Sequence, residues 1–213
     1  MKKPLSALTL VALFAAAATP LLAQQSQSGI EVTKIESTFE KTPVYNIGVG
    51  PKRNTGASKD WLMVEVEFTY EPKSPSDPQF LDDLTFNYYI ALNNKSARNP
   101  QETLLTGSVT HVAIPVGRGL RSVVFVSPRT LERFFDGKPP ANANQAVASV
   151  GVTVTRGGLI VGELSVGAGK GVQQWWTRFQ QAPPGYVLNK NETPFAPLFG
   201  DYYEAIRAKA SGQ

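Results

Sequence analysis

The sequence predicts an all-β fold with minor helix: an immunoglobulin-like antiparallel β-sandwich of about seven strands with short crossover and C-terminal helices. Three observations carry this. Two segments alternate apolar and polar residues with strict period two. Further strand-like runs follow at short spacing, giving about seven over ~140 residues. No helical pattern alternates with them, which excludes a parallel βα architecture.

The first strand is expected over Ile30–Phe39. The clearest is Trp61–Glu71, where Leu62, Val64, Val66, Phe68 and Tyr70 share one face and Met63, Glu65, Glu67 and Thr69 the other. Such alternation marks a sheet with one buried and one wetter face. Leu84, Phe86, Tyr88, Ile90 and Leu92 repeat it and end at the turn-forming Asn93-Asn94. Thr103–Ile114 and Leu120–Val126 follow. Ala146–Thr155 and Leu159–Val166 are joined by Arg156-Gly157-Gly158, with the glycines as the turn.

Ser127-Pro128 supplies an N-cap and a first helical residue, and Leu131, Phe134 and Phe135 fall on one face before Gly137 and Pro139-Pro140. This reads as a crossover helix plugging an open end of the sandwich. Val172, Trp175, Trp176 and Phe179 have helical spacing, with a strand as the rival reading. Pro183, Pro184, Pro194 and Pro197 make 182–199 an extended strap. A terminal helix is expected from Asp201 to Ala210, with Tyr202, Tyr203 and Ile206 inward.

The amino terminus has a different grammar. Lys2-Lys3, the apolar run Leu5–Ala18 and Leu21-Leu22-Ala23 before a polar stretch read as a secretory signal peptide cut after Ala23. The apolar run is broken by Pro20 and falls short of the ~20 residues a spanning helix needs. The organisation is then 1–23 signal peptide, 24–29 flexible segment, 30–170 sandwich, and 171–213 aromatic helix, Pro-rich strap and terminal helix packed on it. Cleavage removes two lysines, so the excess of basic residues falls from four to two. The remaining cations are scattered, which disfavours a nucleic-acid partner. The expected location is the periplasm, the outer-membrane surface or the medium.

Chemistry is poorly supplied. The chain has no cysteine and one histidine. This excludes thiolate zinc, a cysteine nucleophile and a multi-histidine metal centre. Gly167-Ala168-Gly169-Lys170-Gly171 fails as a phosphate loop: position 164 is Leu, and Gly171 stands where Ser or Thr is needed. It reads as a turn. His111 lies mid-strand with no G-x-S-x-G elbow in the chain, and reads as a half-buried strand histidine bonded to a neighbour. Glu65 and Glu67 stand about 7 Å apart on one strand face, within the ~5–9.5 Å of glycosidase carboxylates. With Asp82-Asp83 they give a hydrolase reading that ranks last, since no cleft pattern supports it. Asp77, Asp82 and Asp83 lack calcium-loop spacing. Asn94-Lys95-Ser96 and Asn191-Glu192-Thr193 match the glycan acceptor pattern, which matters only in a host that uses it. No catalytic residue, metal or cofactor is expected.

The densest feature is the aromatic set Trp175, Trp176, Phe179, Tyr186, Phe195, Phe199, Tyr202 and Tyr203. Trp175, Trp176, Tyr202 and Tyr203 are the candidate binding residues, forming a platform for sugar rings or a protein partner. The competing reading, favoured by the energy of burying aromatics, is a second small core beneath the C-terminal segment.

The leader ending Leu21-Leu22-Ala23, the pair Trp175-Trp176, and Thr193-Pro194-Phe195-Ala196-Pro197-Leu198-Phe199 followed by Tyr202-Tyr203-Glu204 carry a resemblance. The chain resembles the secreted immunoglobulin-like proteins encoded with the pilus-associated surface proteins of Akkermansia muciniphila. The resemblance implies a non-enzymatic role in assembly or adhesion near pili, and transfers no functional residue. Gly29-Ile30-Glu31 is not followed by an apolar run, so an accessory component fits better than a type IV pilin subunit. The expected partners are further copies of the chain in a homo-oligomer or other surface and pilus-associated proteins. Strand exchange through the first strand is the expected route, and host glycans or proteins are the alternative partners.

Overall fold

A computed structural model describes residues 29–45, 58–94, 103–172 and 174–208. The expected signal peptide, most of the expected 24–29 segment, the Gly- and Lys-rich part of the 49–59 loop, and the last residues of the expected terminal helix lie outside the described residues.

All seven expected strands form: β1 (Ile30–Lys41), β2 (Asp60–Tyr70), β4 (Leu84–Leu92), β5 (Thr103–His111), β7 (Gly117–Val126), β8 (Val147–Arg156) and β9 (Leu159–Gly167). Four short strands join them: β3 (Phe80–Leu81), β6 (Ile114–Pro115), β10 (Gln180–Gln181) and β11 (Val187–Asn189). One sheet has the order β1-β2-β7-β11, the other β10-β5-β4-β8-β9, and β3-β6 form a small pair. The main strands pair antiparallel; β10 runs parallel to β5.

The alternation in the sequence sets which side chains meet. Leu62, Val64, Val66, Phe68 and Tyr70 of β2 face Leu84, Phe86, Tyr88, Ile90 and Leu92 of β4, and all ten are buried in one core. At roughly 1.5–3 kcal/mol for each buried large apolar side chain, this interior dominates stability. The β8–β9 hairpin turns on Gly157 and Gly158, both at positive φ, as a two-residue turn between right-twisted strands requires.

Helix α1 (Pro128–Phe134) begins as expected. The Ser127 hydroxyl accepts from the Thr130 amide, Pro128 opens the first turn, and Leu131, Phe134 and Phe135 pack on the core. A single turn, α2 (Ala143–Ala146), leads into β8. Asn94 does not display its acceptor pattern: it is buried, its amide donates to Thr103 Oγ1 and Phe134 O, and its oxygen accepts from the Thr103 amide.

Four expectations are corrected. The segment expected as Thr103–Ile114 breaks after His111, because Ala113 takes a left-handed φ of 53° and starts a separate pairing at Ile114. The helix expected around Trp175 is one 3-10 turn, Trp175–Arg178, entered from left-handed Gln174 and left through extended Phe179. The strap at 182–199 is not uniformly extended; it forms β11 and then a 3-10 turn, Lys190–Glu192, closed by an Asn189–Glu192 capping box. Over residues 201–208 the expected terminal helix does not form. A 3-10 turn at Gly200–Tyr202 gives way to extended chain, and Ile206 bridges to His111.

After β9 the chain therefore wraps the sandwich. It crosses the outer face of the five-stranded sheet, adds β10 to the edge of β5 and β11 to the edge of β7, crosses the outer face of the four-stranded sheet, and returns to the β5–β7 seam.

Candidate functional site

The C-terminal wrap brings the candidate binding residues to two different faces of the molecule. Trp175 and Trp176 pack on the outer face of the five-stranded sheet with Tyr89, Ala91, Leu104, Ala148 and Phe179. They are 3% and 8% exposed. Trp175 Nε1 donates to Ser165 Oγ at 3.1 Å, and its ring lies against Gly169. A Cβ at Gly169 would sit 2.3 Å from Trp175 Nε1, so the glycine-rich turn serves to admit this ring. Tyr203 packs on the opposite sheet with Trp61, Val123, Phe125 and Phe195. It is 8% exposed; Tyr202, beside it, is 49% exposed. The four residues thus form no common platform. Three of them are the centres of two satellite cores, because the outer faces of both sheets carry apolar side chains that only the wrap covers.

The carboxylates expected to be solvated or catalytic on β2 hold this wrap in place. Glu65 faces Arg121 Nε at 3.3 Å, and Glu67 faces Arg121 Nη2 at 3.2 Å. The Tyr203 hydroxyl donates to Glu65 Oε2 at 2.8 Å. Burial and the Glu65 carboxylate raise the Tyr203 pKa far above its ordinary value. The Arg121 guanidinium lies 4.5 Å from the centre of the Tyr202 ring, a cation–π contact. The two acids thus share one arginine. Asp82 accepts from the Ala113 amide, Asp83 pairs with Arg207, and Asp77 accepts from the Lys73 and Ser74 amides. Among the described residues no three His, Cys, Asp or Glu side chains gather as a metal site.

His111 has the contact a serine hydrolase would need, and sequence reasoning missed it: its Nε2 lies 2.7 Å from Ser122 Oγ. The partners are on β5 and β7, eleven residues apart, and no local motif links them. The geometry assigns the pair to structure. His111 Nδ1 lies 3.1 Å from the Glu204 carbonyl, which can only accept, so Nδ1 carries the proton. Nε2 then accepts from Ser122, whose oxygen accepts from the Tyr88 hydroxyl at 2.7 Å. Every proton in this chain has one place to go. Ser122, His111 and Tyr88 are buried between the sheets. Burial lowers the His111 pKa to about 4 and raises that of Tyr88. The histidine is therefore more deeply buried than the half-buried position the sequence suggests, and it does bond to neighbours.

A groove of about 330 Å³ beside α1 is lined by Phe39, Lys59, Pro128, Leu131, Glu132 and Pro140. Its charged groups are paired, Lys59 with Glu132 at 2.7 Å and Asp60 with Lys41 at 2.8 Å. Its two acids, Asp60 and Glu132, are thus each held by a lysine.

A family model matches residues 21–210, spanning sandwich and wrap together. A crystal structure from Akkermansia muciniphila superposes with a TM-score of 0.67 at 30% sequence identity, covering 84% of this chain and 93% of that one. The chain belongs to this pilus-associated family. This pilus-associated family is surface-associated and structural, and is not a known enzyme family. The all-β sandwich is the fold that the neighbour supports. No curated protein is matched.

Proposed function

We propose that this member of the pilus-associated family is exported and acts without catalysis, by protein–protein contact in assembly or adhesion at the cell surface. The observation that carries the reading is the use made of its chemically capable side chains. His111, Ser122, Glu65 and Arg121 bond to one another or to the C-terminal wrap. What remains for recognition is surface. Phe80 and Val116 are exposed side by side at the β3–β6 end, the Val116 amide donating to Gln79 O, and Phe199 and Tyr202 are exposed on the wrap. Exposed large apolar groups near one another are the usual anchors of protein contacts.

The glycan alternative loses its tryptophans, since a buried indole cannot stack on a sugar ring. Binding of the purified protein to isolated pili and to mucin, side by side, separates the two. Saturable capture by pili that survives excess mucin glycan supports the protein-contact reading. Capture by mucin alone, abolished by free glycan, overturns it.

A further inference from the structure

The last described residues fill a gap in the sandwich wall. On one side of the seam β5 has β4 as its neighbour, and on the other side of the seam β7 has β2. The facing edges are covered only in part: β10 pairs with β5 at Thr103 and Leu104, and β11 with β7 at Val124–Val126. Further along, the seam is closed by residues 204–207. The Glu204 amide donates to Arg121 O of β7 at 3.1 Å. The Val112 amide donates to Ala205 O at 3.0 Å, and the Arg207 amide to Thr110 O of β5 at 2.8 Å. Ile206 packs against the main core opposite His111, whose Nδ1–H reaches Glu204 O. Arg207 pairs with Asp83.

This is an extended segment held by both sheets, mainly through its backbone, with one apolar plug. Without it, the edge groups of Arg121, Thr110 and Val112 and the His111 Nδ1–H would lose their partners. Buried backbone groups require partners, and an uncovered edge offers itself to another chain. The connection into this segment is strained: Phe199 has a φ of 65°, in the left-handed region that non-glycine residues seldom occupy, and Gly200 follows at 32°. Short strained connections are where identical segments exchange between copies, because extension relieves the turn while all other contacts are remade.

We propose that the β5–β7 seam is a strand-acceptor site, and that it takes the Glu204–Arg207 segment of a second copy in place of its own. The exchanged unit starts at Gly200 and carries Tyr203 and Ile206 with it. This rests on the protein-contact reading and gives it a surface and an occupant. It differs from exchange through β1, which is paired with β2 from Ile30 to Lys41 with one irregularity between Val32 and Lys34.

The absence of cysteine makes the test clean. Thr110 and Arg207 stand opposite each other across the strand junction. One copy carries Thr110→Cys; a second copy, with a tag of different mass, carries Arg207→Cys. The two are mixed, warmed below the melting transition, cooled and oxidised with copper–phenanthroline. The expected result is a mixed disulfide dimer that grows with concentration. It falls by roughly tenfold when the Arg207→Cys copy also carries Ile206→Asp. The doubly substituted single chain, Thr110→Cys with Arg207→Cys, reports that the junction forms within one copy. If that chain cross-links internally and the mixture gives no mixed dimer at any concentration, the proposal is overturned. Light scattering on the unsubstituted protein then tells which idea failed: multimers without a mixed disulfide mean assembly through another surface, and monomers throughout remove self-assembly altogether.

Discussion

The ring of Trp176 lies flat on that of Tyr89, with centroids 4.2 Å apart and planes 6° from parallel. Room for this stack comes from Gly151 on β8, where a Cβ would stand 2.8 Å from the indole. The backbone there cannot yield, since β8 is paired on both sides. Gly151→Ala is expected to cost about 1–3 kcal/mol through overpacking, and Trp176→Ala about 3–5 kcal/mol through the lost aromatic and the cavity. Urea denaturation of the two variants checks both. A Gly151→Ala protein as stable as the parent would mean that the wrap is not seated on this sheet.

Burial of the aromatic anchors makes a spectroscopic prediction. All three tryptophans of the chain, Trp61, Trp175 and Trp176, are buried. Native emission should be blue-shifted and poorly quenched by iodide, and a panel of mucin glycans should leave it unchanged. A saturable shift with any glycan would restore a sugar site near these rings.

The same residues show what local pattern conveys and what it does not. Alternation along β2 and β4 specifies which side chains face inward, because the strand period leaves no other way to bury them. The spacing of Trp175, Trp176 and Phe179 fits a helix equally well, but left-handed Gln174 and the pairing of Gln180 to β5 limit the turn to four residues. Tyr202, Tyr203 and Ile206 likewise fit one face of a helix. The unpaired edges of β5 and β7 draw that segment into an extended form, a demand set by residues about ninety positions away that no local window contains. The Arg121 clamp on Glu65 and Glu67 and the Ser122–His111 contact were illegible for the same reason: each joins separate strands.

The Tyr203–Glu65 bond, rather than aromatic burial alone, should lock the wrap to the four-stranded sheet. Tyr203→Phe is expected to cost about 1.5–3 kcal/mol, the range for a hydrogen bond to a charged group. Arg121→Ala should cost more, since it leaves Glu65, at 15% side-chain exposure, without its cation. Combining Tyr203→Phe with Glu65→Gln should be less damaging than the separate losses together, with a coupling of about 1 kcal/mol. Full additivity in a double-mutant cycle would show that the two groups do not interact.

His111 gives the fold a defined response to acid. In the folded chain it takes a proton only near pH 4, whereas the ordinary value for histidine is 6.5. Between these values the unfolded chain binds more protons, so stability rises with pH there. The contribution is fully present above about pH 6.5 and is lost as pH falls to about 4, amounting to about 3 kcal/mol at 1.36 kcal/mol per unit. The cause is burial: the ring lies between the sheets, where the charged imidazolium is poorly solvated, and the Glu204 carbonyl offsets this only in part. Of the charged groups, Glu65 on β2 bears electrostatically on Tyr88 of the network. Glu204 and Glu163, whose pKa values are raised by burial, act in the opposite sense: their folded forms hold protons more tightly, so they favour the acid side. The informative quantity is therefore the difference in slope between the parent and His111→Asn. Urea denaturation between pH 4 and 7 should show the parent losing stability more steeply toward acid than the variant. Because His111 is the chain's single histidine, parallel curves would mean that its ring is solvated and that the C-terminal segment does not cover it.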